Sequence, residues 1–443
     1  MSNGMKITKL VLEKIKNVDK GTIDFTYKKD PMNMIGIYGQ NGSGKTTVIQ
    51  VIALIKQLLM GTSIKELNAQ DLINSEDFSY IEISFEIEKL GILKYKVKLE
   101  NNKEISLKEE DLLFKKFGKG NRFNRIICAK TNEETIELSP QQRFSMNKEN
   151  IKKFYFAKAH SESKKTSFIF SRVIKDYLTH NLKGNLLKAY TYVSEKLPFN
   201  IFIYTNMYYG LINADLTMPF LFHYREKNHS VQGTIPMNLN KASSISEEHY
   251  KVIKNIIKQI NYVLPAIIPT IKIELRNLGP VLSDKGDTLQ KVEFISSRDG
   301  KTFPMRCESE GIKKIISILS ALINVYGNKE CMVFIDELDS GIFEYLLGEL
   351  IEILDKNIKG QIIFTSHNLR PLELLKNYEV YFTTTDSYDR YIRFGSIKKS
   401  NNLRSMYLRN VQVGGLEKKL YNETDTYKID KSFRDAVKID ENE

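Results

Sequence analysis

The sequence has few cysteines, and none of them is paired in the way a metal site requires. Among 443 residues there are only three, Cys128, Cys307 and Cys331. This spacing indicates neither a disulfide framework nor a zinc site. The composition suits a reducing compartment, and we expect a cytoplasmic protein.

Apolar runs long enough to cross a bilayer are also missing. The two longest, residues 48–60 and 315–325, fall short of the ~20 residues that a membrane helix needs, and Lys56, Lys313 and Lys314 interrupt or flank them. The first residues are polar and basic, without an apolar segment after them, so secretion is not expected. We predict no membrane association.

The middle of the chain lacks the heptad repeat of a long coiled coil. Prolines interrupt it, and inside a helix each would cost roughly 3 kcal/mol. We therefore expect a compact, mostly helical insert lobe over residues 156–300. The prolines in question are Pro140, Pro198, Pro219, Pro236, Pro265, Pro269, Pro280 and Pro304.

The sequence does contain enough apolar residues for folded cores, and it has an excess of basic residues. Hydrophobic residues make up 42% of the chain, and its length allows two or three domains. The net charge of +12 permits a nucleic-acid partner, but a lysine-rich solvated surface would give the same value. The basic, aromatic-interleaved stretch 115–125 has the same two interpretations: a nucleic-acid grip or a solvated hairpin loop.

A glycine-rich loop lies between a predicted buried strand, 34–38, and a predicted helix, 46–60. Residues 39–46, GQNGSGKT, match the phosphate-binding P-loop pattern in the required strand–loop–helix context. Lys45 is expected to reach the β- and γ-phosphates of ATP, where it also assists catalysis, and the Thr46 hydroxyl to bind Mg²⁺. The predicted nucleotide-binding residues here are Gly39, Asn41, Gly42, Ser43, Gly44, Lys45, Thr46 and Thr47.

Other segments give a coarser prediction. Period-two alternation over 80–100 predicts an antiparallel hairpin, and residues 125–129 and 135–138 predict further strands. Ser244 with Glu247 resembles a capping box that starts a helix.

Two adjacent carboxylates end a second apolar strand, residues 331–335. Asp336 is predicted to hold Mg²⁺ through its waters, and Glu337 to polarise the attacking water. Such a pair at the end of a buried strand needs a cation or partners, because unpaired buried charges are expensive.

Further motifs follow in the order of an ABC-type ATPase. Residues 338–341 directly after the carboxylates look like a D-loop containing Asp339, and His367 after the apolar strand 362–365 resembles the switch histidine. Upstream, Ser309 and Gly311 at a predicted helix start resemble a degenerate signature motif. The resemblance implies that Ser309, Gly311 and Asp339 contact nucleotide, with Ser309 and Gly311 reaching ATP held by another subunit, and that His367 senses the γ-phosphate.

Within the ABC class the chain resembles the branch of SMC-like repair ATPases and OLD-like AAA proteins of bacterial phage defence, most strongly over 5–60 and 305–400. Residues 401–415 look like the ending of Septu-like and PARIS-like ATPases. OLD proteins continue into a Toprim nuclease, but only 443 − 367 = 76 residues follow His367 here. We therefore expect any nuclease to be a separate partner.

Two assignments stay open. Gln141 and Gln142, or the segment 154–163, are candidates for the Q-loop. Lys16 and Asn17 resemble the loop that contacts adenine and ribose in related ATPases.

Together these features predict an α/β fold of the ABC P-loop type, with an antiparallel lobe, a helical insert and no long coiled coil. The expected domains are an N-terminal half (1–155), the insert (156–300), a C-terminal half (301–400) and a helical tail (401–443). The predicted activity is slow, regulatory ATP hydrolysis by a homodimer or higher homo-oligomer that controls an effector nuclease in phage defence. An SMC-like DNA-binding clamp is the alternative, and nothing favours a transporter subunit.

Overall fold

The structure is a computed structural model that describes residues 4–67, 69–73, 78–102, 104–130, 147–225, 230–284, 286–395, 402–412 and 418–439. Its strands are β1 (Met5–Ile15), β2 (Val18–Asp24), β3 (Thr26–Tyr27), β4 (Asp30–Pro31), β5 (Met34–Tyr38), β6 (Phe78–Ile87), β7 (Gly91–Asn102), β8 (Glu104–Lys116), β9 (Asn124–Lys130), β10 (Ile201–Tyr204), β11 (Thr217–Arg225), β12 (Ser230–Asn238), β13 (Ser243–Ile245), β14 (Lys272–Leu282), β15 (Thr288–Arg298), β16 (Lys301–Pro304), β17 (Met332–Ile335), β18 (Gln361–Thr365), β19 (Val380–Thr383) and β20 (Tyr391–Ile392).

The α-helices are α1 (Lys45–Met60), α2 (Lys148–Lys164), α3 (Arg172–Asn181), α4 (Gly184–Thr191), α5 (Leu197–Asn200), α6 (Asn206–Asn213), α7 (Glu247–Ile267), α8 (Glu310–Gly327), α9 (Glu344–Asn357), α10 (Leu403–Gln412) and α11 (Thr426–Ile439). Among the described residues the longest helix is α7, with 21 residues. No long coiled coil therefore exists in this part of the chain. Nor does any helix there combine the length and hydropathy that crossing a bilayer requires.

The N-terminal strands form a six-stranded antiparallel sheet in the order β2-β1-β6-β7-β8-β9. The predicted hairpin is its centre, where β6 pairs with β7 from Phe78 opposite Glu100 to Ile87 opposite Gly91. Along β7, buried apolar residues alternate with half-buried ones, mostly lysines. One face of this sheet therefore contributes to a core and the other is partly solvated. The second strand predicted in this region, 135–138, lies outside the described residues.

A second six-stranded sheet has the order β10-β17-β18-β5-β19-β20, and all its pairs except β19 with β20 are parallel. Strands β5, β17 and β18 are buried throughout, as expected for parallel strands covered on both faces. Ile35 and Ile37 face a core shared with α1 and the antiparallel sheet, while Met34 and Tyr38 face a core shared with α7, α8 and α9. The predicted α/β class with an antiparallel lobe is confirmed.

Residues 156–300 contain both helices and strands. The β11–β12 hairpin and strands β13, β14 and β15 follow one another from residue 217 onwards, and β16, which pairs with β15, lies directly after this range. One strand of this range, β10, pairs in parallel with β17 and so belongs to the central sheet. Strand β10 thus connects residues 156–300 to the central sheet.

The start of α7 differs from the capping box predicted at Ser244. Ser244 lies in β13 opposite Lys291, and the N-cap is Ser246, whose hydroxyl accepts a hydrogen bond from the His249 N–H at 3.2 Å. The helix also continues through Pro265, close to its end. Because Ser244 pairs with β15, it cannot cap the helix, and Ser246 is the next residue whose side chain can.

Candidate nucleotide-binding site

The carboxyl ends of β5, β17 and β18 meet at one edge of the central sheet, and each carries one of the predicted motifs. Residues 39–46 follow β5, Asp336 and Glu337 follow β17, and Ser366 and His367 follow β18. In open α/β sheets, ligands bind at this edge of the strands. The topology therefore brings together residues that lie about 290 positions apart in sequence.

The P-loop depends on glycine at positions 39 and 44. A methyl group on Gly39 would lie 1.7 Å from Oγ1 of Thr383, and Gly44, at φ 92°, is the N-cap of α1 in a left-handed conformation. No side chain caps this helix start. Its first N–H groups are therefore available to an anion, as phosphate binding would require.

Lys45 is buried at the base of the loop, 6% exposed. Its ammonium donates to the carbonyl oxygens of Gly39 at 2.9 Å and Gln40 at 2.8 Å. Burial lowers the pKa of Lys45 to about 8, although the nearby carboxylates of Asp336, Glu337 and Asp339 oppose this shift. The amine is thus still mostly protonated at pH 7, as charge pairing with phosphate requires.

Asp336 connects the two halves of the site. Its Oδ1 accepts hydrogen bonds from the hydroxyls of Thr365 at 2.6 Å and Thr46 at 3.2 Å, while Oδ2 is buried and has no hydrogen-bond partner among the described residues. Burial raises the pKa of Asp336, and the two hydroxyls partly offset this. A buried carboxylate oxygen without a donor beside a threonine hydroxyl fits a hydrated Mg²⁺.

The described residues contain no group of three or more His, Cys, Asp or Glu that could hold a metal by itself. A metal at this edge would therefore rely on Thr46, Asp336, water and the ligand's phosphates. This is the way in which Mg²⁺ binds at nucleotide sites, keeping several waters.

Glu337 has an unusual backbone conformation, with φ 49°. Its N–H donates to Oγ1 of Thr365 at 2.8 Å, and its carbonyl oxygen accepts from the Lys314 ammonium at 2.6 Å. Both backbone groups are thus held while the half-buried side chain leaves the strand end. A left-handed non-glycine residue persists only where its surroundings fix it, and such residues are enriched at active sites.

Asp339 contacts the loop after β18 in its own chain. Its Oδ2 accepts from the backbone N–H of His367 at 3.1 Å and of Asn368 at 3.0 Å. His367 is exposed, and partial desolvation together with the Lys45 ammonium lowers its pKa, so its neutral imidazole predominates at pH 7. Contact of either side chain with nucleotide remains a prediction.

Ser309 and Gly311 lie at the start of α8. Ser309 is the exposed N-cap, without a side-chain capping bond, and buried Glu308 beside it accepts from Ser296 and from Arg298 at 2.9 Å. Among the described residues, no hydrogen bond joins Ser309 or Gly311 to residues 39–46. The structure thus joins Thr46 to Asp336 by a hydrogen bond, with Lys45 and Glu337 next to them in the chain. Among the described residues, Ser309 and Gly311 make no hydrogen bond to this group.

Sequence reasoning missed several residues that support the loop. Thr365 could have been found from the sequence, because it is the last residue of β18, two positions before the predicted switch histidine. Thr383 contacts Ser43, Oγ1 to Oγ at 2.5 Å, and the Tyr391 hydroxyl donates to the Gly44 carbonyl at 2.8 Å. Neither has a motif of its own.

The structure bears differently on the two open assignments, the Lys16–Asn17 loop and the Q-loop. The Asn17 amide donates to the Gly42 carbonyl, and Lys16 donates to Gln50 at 2.9 Å, so this pair borders the P-loop. Gln141 and Gln142 lie outside the described residues. The alternative Q-loop segment 154–163 lies within α2 instead of following a strand, with Phe154 buried in the core.

The stretch 115–125 forms the end of β8, a loop and the start of β9. The Phe123 ring contacts the ammonium groups of Lys94 and Lys115, at 4.8 Å and 5.8 Å from its centroid, and Arg125 pairs with Asp111 at 2.9 Å. These contacts are internal to the lobe. They favour the solvated hairpin over a nucleic-acid grip.

Comparison with known families assigns the chain. A family model described as "AAA domain, putative AbiEii toxin, Type IV TA system" matches residues 34–373, from β5 to the turn after β18. The chain belongs to this AAA family. The match covers well over half of the 443 residues and includes the P-loop, Asp336, Glu337, Asp339, Ser309, Gly311 and His367, whereas Lys16 and Asn17 precede it. The α/β class of this AAA domain is the one predicted from its motifs.

Solved structures show weaker similarity to this AAA domain. The Smc head domain with an extended coiled coil bound to the C-terminal domain of ScpA, derived from Pyrococcus furiosus, has 13% identity and a TM-score of 0.42, covering 88% of this chain and 96% of that one. The Thermotoga maritima SMC head domain has 13% identity and a TM-score of 0.37, covering 88% and 100%. The recombination mediator protein RecF has 12% identity and a TM-score of 0.40, covering 89% and 99%. Among curated proteins, none matches this sequence.

Proposed function

We propose that this chain binds ATP with Mg²⁺ and hydrolyses it slowly to ADP and phosphate. The observation that supports this most directly is the hydrogen bond between Thr46 and Asp336, which joins the P-loop to the second carboxylate motif at 3.2 Å. The loop glycines, the open helix start and the Lys45 ammonium suit a triphosphate. Membership of an AAA family agrees with nucleotide binding.

Each residue then has a distinct task in the proposed reaction. Lys45 neutralises the β- and γ-phosphates, and the Glu337 carboxylate orients the attacking water and accepts its proton. Thr46 and Asp336 would hold Mg²⁺, which supplies charge neutralisation at the phosphates when bound. Neutral His367 contacts the γ-phosphate as a hydrogen-bonding group.

The proposed active unit contains two chains, as a homodimer or a larger homo-oligomer built from such pairs. Ser309 is exposed at the start of α8 and makes no hydrogen bond to residues 39–46 of its own chain. A helix start carries partial positive charge and free N–H groups that suit a phosphate. The proposed composite site therefore takes Lys45 and Glu337 from one chain and Ser309 and Gly311 from the other.

The Glu337→Gln variant tests this proposal. Removing the proton acceptor should leave ATP binding intact and stop hydrolysis, so that a nucleotide-bound dimer accumulates. Light scattering after size exclusion should show the molar mass doubling with ATP and Mg²⁺, but not with ADP.

Two further variants serve as controls for the trapped dimer. Lys45→Ala should abolish ATP binding. Glu337→Gln combined with Ser309→Arg should bind ATP yet stay monomeric, because the arginine side chain occupies the predicted contact surface. If Glu337→Gln itself remained monomeric with ATP and Mg²⁺, the composite-site proposal would be wrong.

We further propose that nucleotide state controls a partner effector, with a nuclease as the expected kind. The resemblance of the motifs and of residues 401–415 to phage-defence ATPases supports this, and the description of the family names a toxin of a toxin–antitoxin system. Tagged wild-type and Glu337→Gln proteins from the native host should retain the effector differently with ATP and with ADP. Retained material should cleave plasmid DNA or RNA, and its absence in both states would contradict the effector proposal.

The rival function, a DNA-binding clamp, predicts a different response. Duplex DNA should then stimulate hydrolysis, and binding should weaken steeply as salt rises, because phosphate contacts release counterions. Measuring ATP turnover with and without DNA at two salt concentrations separates the two proposals.

A further inference from the structure

Helix α8 connects the predicted signature residues to the backbone of Glu337 within one chain. Ser309 and Gly311 lie at its start, and Lys314 follows one turn later. Lys314 is 4% exposed, and its ammonium donates to the Glu337 carbonyl oxygen at 2.6 Å. The face of the Tyr209 ring lies 4.0 Å from the same ammonium. The lysine is therefore fixed between an aromatic ring and the backbone of the proposed catalytic residue.

The carbonyl oxygen that Lys314 contacts belongs to a residue with a strained backbone, Glu337. Glu337 has φ 49°, and its N–H is already held by Thr365 at 2.8 Å. Since one peptide group is held by Thr365 and the next by Lys314, a shift of Lys314 would rotate the residue between them. Rotation of that backbone changes the direction in which the Glu337 carboxylate points.

The neighbouring Lys313 shows that this contact is particular to one lysine. Lys313 is also a lysine of α8 and is 3% exposed, but its ammonium pairs with Asp215 at 2.7 Å. It makes no described contact with Glu337. The chain thus contains a matched control beside the residue of interest.

A second contact joins the start of α8 to the D-loop. Gly311 packs so closely on Gly341 that a methyl group there would lie 2.0 Å from the Gly341 carbonyl oxygen. A shift of the helix start towards Gly341 would therefore displace the segment that continues from Glu337 through Asp339. Lys314 and Gly311 act on the two ends of the same short segment.

We propose that Lys314 is a positioning residue. It couples two events: nucleotide held by a partner chain contacts the start of α8, and Glu337 of the same chain as Lys314 then changes its orientation. The inference rests on the proposed ATPase function. When phosphate binds the helix start, α8 shifts with it, and the Lys314 contact carries the shift to the Glu337 carbonyl. Hydrolysis in one site then depends on occupancy of the other, since each chain contributes to both.

The test compares Lys314→Met with Lys313→Met in steady-state ATP hydrolysis. For Lys314→Met we expect kcat to fall at least about tenfold while KM changes less than about threefold, since small misplacement of a catalytic group is costly even when binding is intact. Lys313→Met should retain kcat within about threefold, because it alters burial and packing but not the Glu337 contact. Lys314→Arg, which keeps a donor, should recover part of the lost rate.

Dimer formation separates this inference from the proposed function. In the Glu337→Gln background, Lys314→Met should still give the ATP-dependent dimer. Loss of the dimer in Glu337→Gln alone would contradict the proposed function. A retained dimer together with wild-type kcat in Lys314→Met would contradict only the coupling.

Stability must be checked in parallel. If thermal melts show that Lys314→Met does not fold, Lys314→Leu, which also lacks a donor, takes its place, with the same expected fall in kcat. Equal losses of kcat in the Lys313 and Lys314 variants would mean that both lysines serve only the packing of α8, and would overturn the proposal.

Discussion

Gly311 lies against the backbone of Gly341, so that the start of α8 and the turn after the Asp336–Glu337 pair are in direct contact. A methyl group on Gly311 would lie 2.0 Å from the Gly341 carbonyl oxygen and 3.1 Å from its carbonyl carbon. Gly341 itself has φ 73°, a conformation that favours glycine. Two segments that the sequence suggests only as separate motifs are therefore one packed unit.

Gly311→Ala should disrupt this unit. Backbone must shift to admit the methyl group, at a cost of roughly 1–3 kcal/mol for overpacking. ATP binding at residues 39–46 should remain, while the ATP-dependent dimer of the Glu337→Gln variant should be lost. A fluorescent ATP analogue and light scattering measure the two effects.

Gly327→Ala is the matched control, since Gly327 ends the same helix and an added methyl would meet nothing within 4 Å. It should leave the dimer unchanged and slightly raise the melting temperature, because alanine costs less chain entropy. A Gly311→Ala protein that dimerised normally would show that the close contact has no part in assembly.

Thr365→Val should impair the metal and water positions together. The hydroxyl donates to Asp336 at 2.6 Å and accepts from the Glu337 N–H at 2.8 Å. A buried N–H left without a partner costs about 1–3 kcal/mol. We expect lower kcat and a higher Mg²⁺ concentration for half-maximal activity. Thr365→Ser keeps the hydroxyl and should resemble wild type in both measurements.

The same substitution should move the acid limb of the pH–rate profile. The Thr365 hydroxyl stabilises the charged form of Asp336 and so lowers its pKa, against the larger effect of burial. Without that donor the pKa rises further, and Asp336 becomes protonated at higher pH. Activity of Thr365→Val should therefore fall earlier on acidification than that of Thr365→Ser. Coincident acid limbs would contradict this assignment.

ATP affinity should decrease at alkaline pH. Burial places the pKa of Lys45 at about 8, below its ordinary 10.5, so the free protein loses this cation as pH rises through 8. Up to a tenfold loss of affinity for each pH unit follows in this range, since ~1.4 kcal/mol corresponds to a factor of ten. The dissociation constant of a fluorescent ATP analogue between pH 7 and 9.5 measures this, and Lys45→Arg, charged throughout, should show little dependence.

The effect of Lys45 on folding stability has the opposite sign. Between about 8 and 10.5 the unfolded chain binds the Lys45 proton more readily than the folded chain does. The contribution of Lys45 to stability therefore increases with pH across that window, while ATP affinity decreases. Denaturant melts of wild type and Lys45→Met at pH 7.5 and 9.5 should show a larger gain for wild type, and equal gains would contradict the shifted pKa.

Asp339→Ala should loosen the loop that carries His367. Two backbone N–H groups, of His367 and Asn368, would lose their carboxylate acceptor. Hydrogen exchange at residues 366–369 should accelerate, and kcat should fall if His367 contacts the γ-phosphate. Asp339→Asn retains one carbonyl acceptor and should give a smaller effect on both. Unchanged exchange in the alanine variant would show that this carboxylate does not hold the loop.

The sequence predicts those parts of the site whose chemistry is local. A P-loop needs glycines, Lys45 and Thr46 in fixed order between a strand and a helix, so its pattern is visible without a fold. The acidic pair after residues 331–335 and His367 after β18 have comparable local signatures. Alternation over 80–100 likewise predicts a hairpin because side chains alternate across a sheet.

Long-range contacts leave weaker signals or none. Lys314 looks like any helix lysine beside Lys313, and only the fold distinguishes their partners, Glu337 and Asp215. Strand β10 lies in a range expected to be an insert, yet its pairing with β17 makes it part of the central sheet. The N-cap of α7 is Ser246 instead of Ser244, because Ser244 pairs with β15 as part of β13.

By itself, the sequence determined which groups can hold phosphate and metal, because those groups must be of fixed type and closely spaced. It also excluded a long coiled coil over the described insert, since prolines break the repeat. Only the tertiary structure decided that Thr46 and Asp336 meet, that Thr365 and Lys314 fix the Glu337 backbone, and that Gly311 packs on Gly341. Such contacts arise where parallel strands end at one edge of a sheet and where α8 packs against that edge, and their partners lie between about 20 and 290 positions apart in the chain.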